Sequence, residues 1–219
     1  IYTNLDPAAP LSRTKKILSK CKPKVAVFDY APNDELLEVL ENLRIPHLFL
    51  KDPTTLTLQE NSFDEARTVM PEDIAYLMFT SGSTGEPKGV SISHRSLLNF
   101  IQWSADYFDV SSRDIFTQIN PLYFDNSVFD FFTALSSGAA IAPVKKSQTE
   151  NPLELVRYIE TLKCTVWFGV PSIFVYLHKT KSFEGQNLKN LRTIVFGGEG
   201  FPKGTLNYLF GRYGEKIEF

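Results

Sequence analysis

A chain of 219 residues that is 43% hydrophobic and 22% charged has ordinary globular composition, which excludes disorder as its main state. Its formal net charge is −2 and no stretch is dominated by Lys and Arg, so no nucleic-acid partner is expected. No apolar run approaches the roughly 18 residues of a membrane span and no basic-then-apolar secretory pattern opens the chain, so no membrane partner is expected and the default location is cytoplasmic.

In chain order, the basic run Lys15, Lys16, Lys20, Lys22 and Lys24 reads as the solvated side of a helix and the turn after it. Cys21 and Cys164 have no His or Cys partner at metal-ligand spacing, which fits a reducing compartment and predicts no metal site. "KVAVFD" (24–29) is a predicted strand. "NDELLEVLENLR" then places Leu36, Leu37, Leu40 and Leu43 on one helical stripe, with Asn33 as cap and acidic residues in the first turn. After strand "HLFL" (47–50), the polar stretch 51–73 lacks periodicity and reads as a connector.

"IAYLMFT" (74–80) is the next strand, and "SHRSLLNFIQWSADYF" a helix with Ser93 as N-cap. Further strands are "IFTQI" (115–119), "AAIAPV" (139–144), "TVWFG" (165–169), "LRTIVFG" (191–197) and "KIEF" (216–219). Before "TVWFG", "NPLELVRYIETLK" predicts a helix capped by Asn151 with Pro152 in its first position. The alternation implies an α/β fold of layered βα-repeat subdomains with largely parallel sheets. Residues 1–72 are expected to belong to a first α/β subdomain and 73–219 to a second. The start on Ile1 and the end inside "EKIEF", a strand cut in its middle, make a fragment of a longer enzyme the expectation.

Strand 74–80 runs into Thr80, Ser81, Gly82, Ser83, Thr84, Gly85, Glu86, Pro87, Lys88 and Gly89. Glycines let backbone N–H groups point at a ligand, hydroxyls add donors, and the lysine supplies a full charge. That set suits a polyphosphate better than a flexible Ser/Gly linker, because an apolar strand precedes it and a capped helix follows. It is not a Walker A loop, since Glu86-Pro87 separate Gly85 from Lys88. "GGEGFPKG" (197–204) has the wrong intervals for a dinucleotide fingerprint.

"YLMFTSGSTGEPKGVSISHRSL" resembles the phosphate-loop motif of the adenylate-forming superfamily, which includes amino-acid adenylation domains, acyl- and aryl-CoA ligases and luciferase-type enzymes. "NPLYFDNSVFDFFTALSSGAAIAPV" (120–144) resembles the Phe-Asp-x-Ser segment of the amino-acid-activating branch. There an aspartate at the position of Asp125 pairs with the substrate α-ammonium group, and a carboxylate at a pocket mouth does select a cation. Read alone, Asp125 is equally a turn residue or helix cap, and Asp130 is read as structural. "NLDPAAPLSRTKKIL", "TVWFGVPSIFVYL" and "LRTIVFGGEGFP" extend the similarity over nearly the whole chain. They lean toward the stand-alone D-alanine–carrier protein ligases rather than the nonribosomal peptide synthetases.

The resemblance implies part of the large N-terminal domain of an adenylate-forming enzyme that uses ATP and Mg2+. Thr80, Ser81, Gly82, Ser83, Thr84, Gly85 and Lys88 would bind the nucleotide phosphates, with Lys88 and Thr84 in catalytic roles. Asp125, Asn126, Phe129, Phe168, Val195 and Gly197 would bind the amino acid. A phosphopantetheine carrier protein would be the acceptor. The family's Tyr-Gly-Pro-Thr-Glu loop, ribose-binding aspartate and C-terminal lysine are not in these 219 residues, so the piece by itself is expected to be inactive. An acyl- or aryl-CoA ligase and a catalytically silent scaffold are the competing readings.

Overall fold

The computed structural model describes residues 1–50, 68–81 and 85–219. Most of the expected connector, 51–67, lies outside the described residues. By contacts the chain divides into two compact units, Ile1–His94 and Arg95–Phe219.

In the first unit, helices α1 (Leu11–Cys21) and α2 (Asp34–Asn42) bury Leu18, Val39 and Leu40 together with Ile45. The Asn33 side chain accepts the Leu36 N–H at 3.0 Å, the predicted cap. Strands β1 (Ala26–Phe28) and β2 (His47–Phe49) pair in parallel, Ala26 opposite His47. The other two strands, β3 (Ile74–Ser81) and β4 (Pro87–Ser93), form an antiparallel hairpin.

Strand β4 departs from the sequence expectation, which passed directly from loop to helix. "PKGVSIS" lacks strand periodicity because most of its residues are exposed, and Pro87 opens the strand, where a missing N–H is tolerated. The basic face of α1 is also less idle than its charge pattern suggests. Arg13 donates to the Phe79 carbonyl at 3.3 Å, Lys20 to the Pro87 carbonyl at 2.7 Å, and Lys16 to Glu86 at 2.6 Å. Spaced at three and four residues, these side chains share one helix face and hold both limbs of the hairpin. Lys15, Lys22 and Lys24 are exposed as expected.

The second unit is built on a parallel four-stranded sheet in the order β6-β5-β7-β8. Helix α3 (His94–Tyr107) leads to β5 (Ile115–Gln118). A π-helical turn (Phe129–Thr133) runs into α4 (Ala134–Ser136) and then β6 (Ala140–Pro143). Helices α5 (Lys146–Glu150) and α6 (Pro152–Thr161) return the chain to β7 (Val166–Gly169). Helix α7 (Pro171–Lys179) precedes β8 (Thr193–Phe196), and α8 (Lys203–Tyr213) follows it. Asn151 caps α6 through the Glu154 N–H, with Pro152 in the first turn, as predicted.

Alternate residues of the strands feed two cores, as strand geometry requires. Trp167 and Ile194 join Leu155, Phe174, Leu177 and Leu209, whereas Val166, Phe168 and Val195 pack with Phe116 and Phe129. The strand expected over 216–219 is a single bridge, Glu218 to Thr193, with Ile217 buried beneath it. Because β6 lies on one side of β5 and β7 on the other, the winding reverses between β5 and β7. In sheets of this kind ligands settle outside the carboxyl ends of the strands at that reversal. Among the described residues no helix is long and apolar enough to cross a membrane.

Candidate active site

Two groups of predicted residues fall in the two units. In the hairpin, Thr80 is directly opposite Lys88, so their side chains share a face, and both are exposed. Gly85 has φ 75°, a left-handed conformation that glycine adopts without strain. Glu86 beside it is held by Lys16 at 2.6 Å and approached by Lys20 at 3.7 Å. The Lys16 hydrogen bond, aided by both lysine charges, holds the Glu86 carboxyl below its usual range. Gly82, Ser83, Thr84 and the Ser81 side chain lie outside the described residues.

The second group gathers at the carboxyl edge of the four-stranded sheet. Beyond β5 the chain makes a turn in which the Phe124 N–H bonds to Pro121 O, Ser127 N–H to Phe124 O and Val128 N–H to Asp125 O. The Ser127 hydroxyl donates to Phe124 O at 2.6 Å. Ser127 therefore fixes the turn that presents Asp125, a role that its place in the motif does not reveal. The Asp125 side chain is exposed and makes no capping bond or ion pair among the described residues.

Phe129, on the π-helical turn, meets Phe168 of β7 edge to face, with ring centroids 5.6 Å apart. Val195 packs against the same cluster. A Cβ added at Gly197 would lie 3.8 Å from the Phe168 ring, and one at Gly198 would lie 3.7 Å from Asn126 Nδ2. Asn126, Phe129, Phe168, Val195 and Gly197 thus converge from three segments. They form an apolar cluster at the carboxyl edge of the sheet, and Asp125 is exposed on the turn that leads into it. An apolar wall with a carboxylate on the adjoining turn is chemistry suited to a ligand with an apolar body and a cationic end. Gly169 and Gly198, which the sequence reading did not single out, complete the surroundings. Gly169 lets the end of β7 approach α7, where a Cβ would stand 3.0 Å from Ile173 Cγ2 and 3.2 Å from Phe174.

Residues 1–218 match the family described as AMP-binding enzyme. The chain belongs to this family. The L-proline–[L-prolyl-carrier protein] ligase of Pseudomonas fluorescens is 31% identical to this AMP-binding chain over 221 residues, covering 98% of the chain and 44% of that protein. The D-alanine–D-alanyl carrier protein ligase of Listeria monocytogenes is 30% identical over 220 residues, covering 99% and 42%. A fatty acyl-adenylate ligase from L. pneumophila, solved with acyl adenylate and pyrophosphate, shares the fold with a TM-score of 0.76. It is 24% identical to this AMP-binding chain, covering 94% of the chain and 36% of that protein. The AMP-binding chain therefore spans less than half the length of these relatives.

Proposed function

We propose that this chain is part of a cytoplasmic, ATP-dependent ligase that activates an amino acid as aminoacyl-AMP and passes it to the phosphopantetheine thiol of a carrier protein. The observation that carries this reading is Asp125, an exposed carboxylate that makes no ion pair among the described residues, on a turn locked by Ser127 that leads into the cluster of Phe129, Phe168, Val195 and Gly197. A carboxylate in that place favours an acid that also carries an ammonium group. The likeness to the prolyl- and D-alanyl-carrier protein ligases supports the same substrate class and acceptor.

ATP supplies an electrophilic α-phosphorus and a pyrophosphate leaving group. The amino-acid carboxylate oxygen forms a bond to that phosphorus as the bond to the bridging oxygen breaks, and the charge leaves with pyrophosphate. Asp125 binds the α-ammonium group, Asn126 borders the cluster, and the two phenylalanines with Val195 and Gly197 fit the side chain. Together these contacts turn the carboxylate toward phosphorus, and positioning of this kind provides a large share of such rate enhancement.

At the hairpin, Thr80 and Lys88 share an exposed face beside Gly85, and this donor set fits a polyphosphate. Ser81, Gly82, Ser83 and Thr84 add N–H and hydroxyl donors by their chemistry. Lys88 balances charge as pyrophosphate departs, and Thr84 is the second residue assigned a catalytic role. Mg2+ in such reactions is bound largely by phosphates and water. The described residues contain no cluster of three metal-ligating side chains.

The test is exchange of labelled pyrophosphate into ATP by the full-length protein, over L- and D-amino acids with fatty and aryl acids as controls. Exchange with one or a few amino acids is expected. Exchange with unamined acids alone would instead identify a CoA-ligase-like activity, and nucleotide binding without any exchange a silent scaffold.

A further inference from the structure

Next to the Phe129–Phe168 cluster lie two polar side chains that the chemistry above leaves unused. Asn120 is 6% exposed and Asp130 is 0% exposed. Asn120 follows β5, and Asp130 stands next to Phe129 on the π-helical turn. The Asn120 side-chain amide donates to Asp130 Oδ2 at 2.8 Å and to the Phe168 carbonyl oxygen at 3.1 Å. Gln118 Nε2 in turn donates to the Asn120 carbonyl at 2.7 Å. One NH2 group thus ties together three segments across the reversal between β5 and β7.

The tie is costly. Asp130 Oδ1 is buried with no hydrogen-bond partner among the described residues. Burial pushes the Asp130 carboxyl well above its ordinary range, and the bonds from Asn120 offset this only in part. Burying a half-satisfied carboxyl costs more than burying an apolar side chain of similar size, so filling space does not account for an aspartate here. Its acceptor oxygen does: it orients the Asn120 amide, and the second amide proton then fixes the Phe168 backbone. The π-helical turn, a rare geometry that recurs at functional sites, is held at the same point. The amide thus holds the Phe168 carbonyl and the side chain of Asp130, the chain neighbour of Phe129, and the rings of Phe129 and Phe168 meet at 5.6 Å and 86°.

We propose that Asn120 and Asp130 are a positioning pair that sets the spacing of Phe129 and Phe168, and through it which acid side chain the site accepts. This rests on reading the Phe129–Phe168 cluster as lining the substrate pocket. A pocket wall that moves by a fraction of an ångström discriminates poorly between side chains differing by one methylene. Tethering the Phe168 carbonyl and the Asp130 side chain beside Phe129 to one amide restricts such movement.

The experiment compares wild type, Asn120→Ala, Asn120→Asp, Asp130→Ala and Asp130→Asn in the full-length protein. Pyrophosphate exchange is measured with L-proline, D-alanine, L-leucine, L-phenylalanine, octanoate and benzoate. Asn120→Ala, Asn120→Asp and Asp130→Ala are expected to change the ratio of kcat/KM between the two best acids by tenfold or more, through KM for the acid. KM for ATP should stay within about twofold of wild type by the same reasoning. Asp130→Asn keeps an acceptor for the Asn120 amide and should retain the wild-type ratio, which a requirement for the charge itself would not allow.

Hydrogen exchange of peptides spanning 121–133 and 166–172 supplies a readout independent of turnover. Asn120→Ala should speed exchange in both peptides and leave those around Asp114 unchanged, and Asp130→Asn should restore the wild-type rates. Wild-type exchange with octanoate or benzoate alone would overturn the amino-acid reading, with the pair then judged on the ratio between those acids. If no acid supports exchange, the proposed function fails and hydrogen exchange decides for the pair. Equal loss of kcat with every acid at an unchanged ratio, or unaltered hydrogen exchange, would overturn the positioning role.

Discussion

Arg192 and Asp114 form a two-point ion pair at the amino edge of the four-stranded sheet, Nε to Oδ1 at 2.9 Å and Nη2 to Oδ2 at 3.1 Å. The Thr165 hydroxyl also donates to Oδ1 at 2.7 Å, and the Ser111 N–H to Oδ2 at 2.9 Å. The cluster binds the residues that enter β5, β7 and β8, so the amino edge of the sheet is held by charge and the carboxyl edge by the Asn120 amide. Rigidity at one end lets the other carry variable side chains without loss of register.

This cluster predicts an acid transition. Burial opposes ionisation of Asp114, but hydrogen bonds from Arg192, the Ser111 N–H and Thr165, with the Arg192 charge, outweigh it and lower the carboxyl from 3.8 to about 2. A carboxyl whose folded value is depressed stabilises above the unfolded value and loses that contribution as pH falls through the folded one. Stability should therefore decline between about pH 4 and pH 2, by about 2 kcal/mol from this group. Urea titrations at several pH values should show the decline in wild type and a flatter profile in Asp114→Asn. An equal slope in both proteins would remove Asp114 from the account.

The hairpin gives a second prediction. In the full-length protein, Lys88→Ala should raise KM for ATP or lower kcat by about tenfold to a hundredfold, the range expected for loss of a charge-assisted hydrogen bond. The order of preference among amino acids should not change, and a switched order would contradict a phosphate role. Glu86→Gln is the contrasting case. Its ion pairs with Lys16 and Lys20 involve side chains about half exposed, so the variant should have a thermal midpoint indistinguishable from wild type.

Much of this architecture was legible because its signals are local. Asn33 and Asn151 are written in the chain beside the helices they cap, and the apolar runs of β5, β7 and β8 stand out against polar turns. The motif around Asp125 falls on a turn, which the Asp-Asn-Ser chemistry of that stretch allows. Other features depend on contacts that no local pattern encodes. Strand β4 escaped notice because Pro-Lys-Gly is turn chemistry and the strand is mostly exposed. The charge pattern of α1 showed a solvated face but not that Lys16 and Lys20 meet Glu86 and Pro87. Asn120 reaches Phe168 across 48 positions, and only the winding of the sheet makes them neighbours.

Asp125 furnishes a third prediction. Asp125→Ala should cut amino-acid-dependent pyrophosphate exchange at least a hundredfold, since an ammonium group bound there would lose its counter-charge, about 3 kcal/mol. Nucleotide binding, followed by isothermal titration, should be unchanged. Because the residue is exposed and makes no ion pair among the described residues, thermal stability should hardly move, which separates a binding role from a structural one. Unaltered KM and kcat for the amino acid would refute the ion pair.

Gly197 and Gly169 allow a final contrast between specificity and packing. At Gly197 a methyl group would sit 3.8 Å from the Phe168 ring, an ordinary contact, so Gly197→Ala should fold with nearly wild-type stability. It would occupy space in the proposed substrate pocket, and kcat/KM for the largest accepted side chain should fall by about tenfold to a hundredfold relative to a smaller one. At Gly169 the same methyl would press on Ile173 at 3.0 Å and Phe174 at 3.2 Å. Phe174 is fully buried and cannot yield freely, so Gly169→Ala should destabilise by about 1–3 kcal/mol. Thermal denaturation and a substrate panel on the two variants separate these outcomes. A stable Gly197→Ala with unchanged preference would place the substrate side chain elsewhere, because a methyl group added to the wall of an occupied pocket cannot be neutral to what the pocket holds.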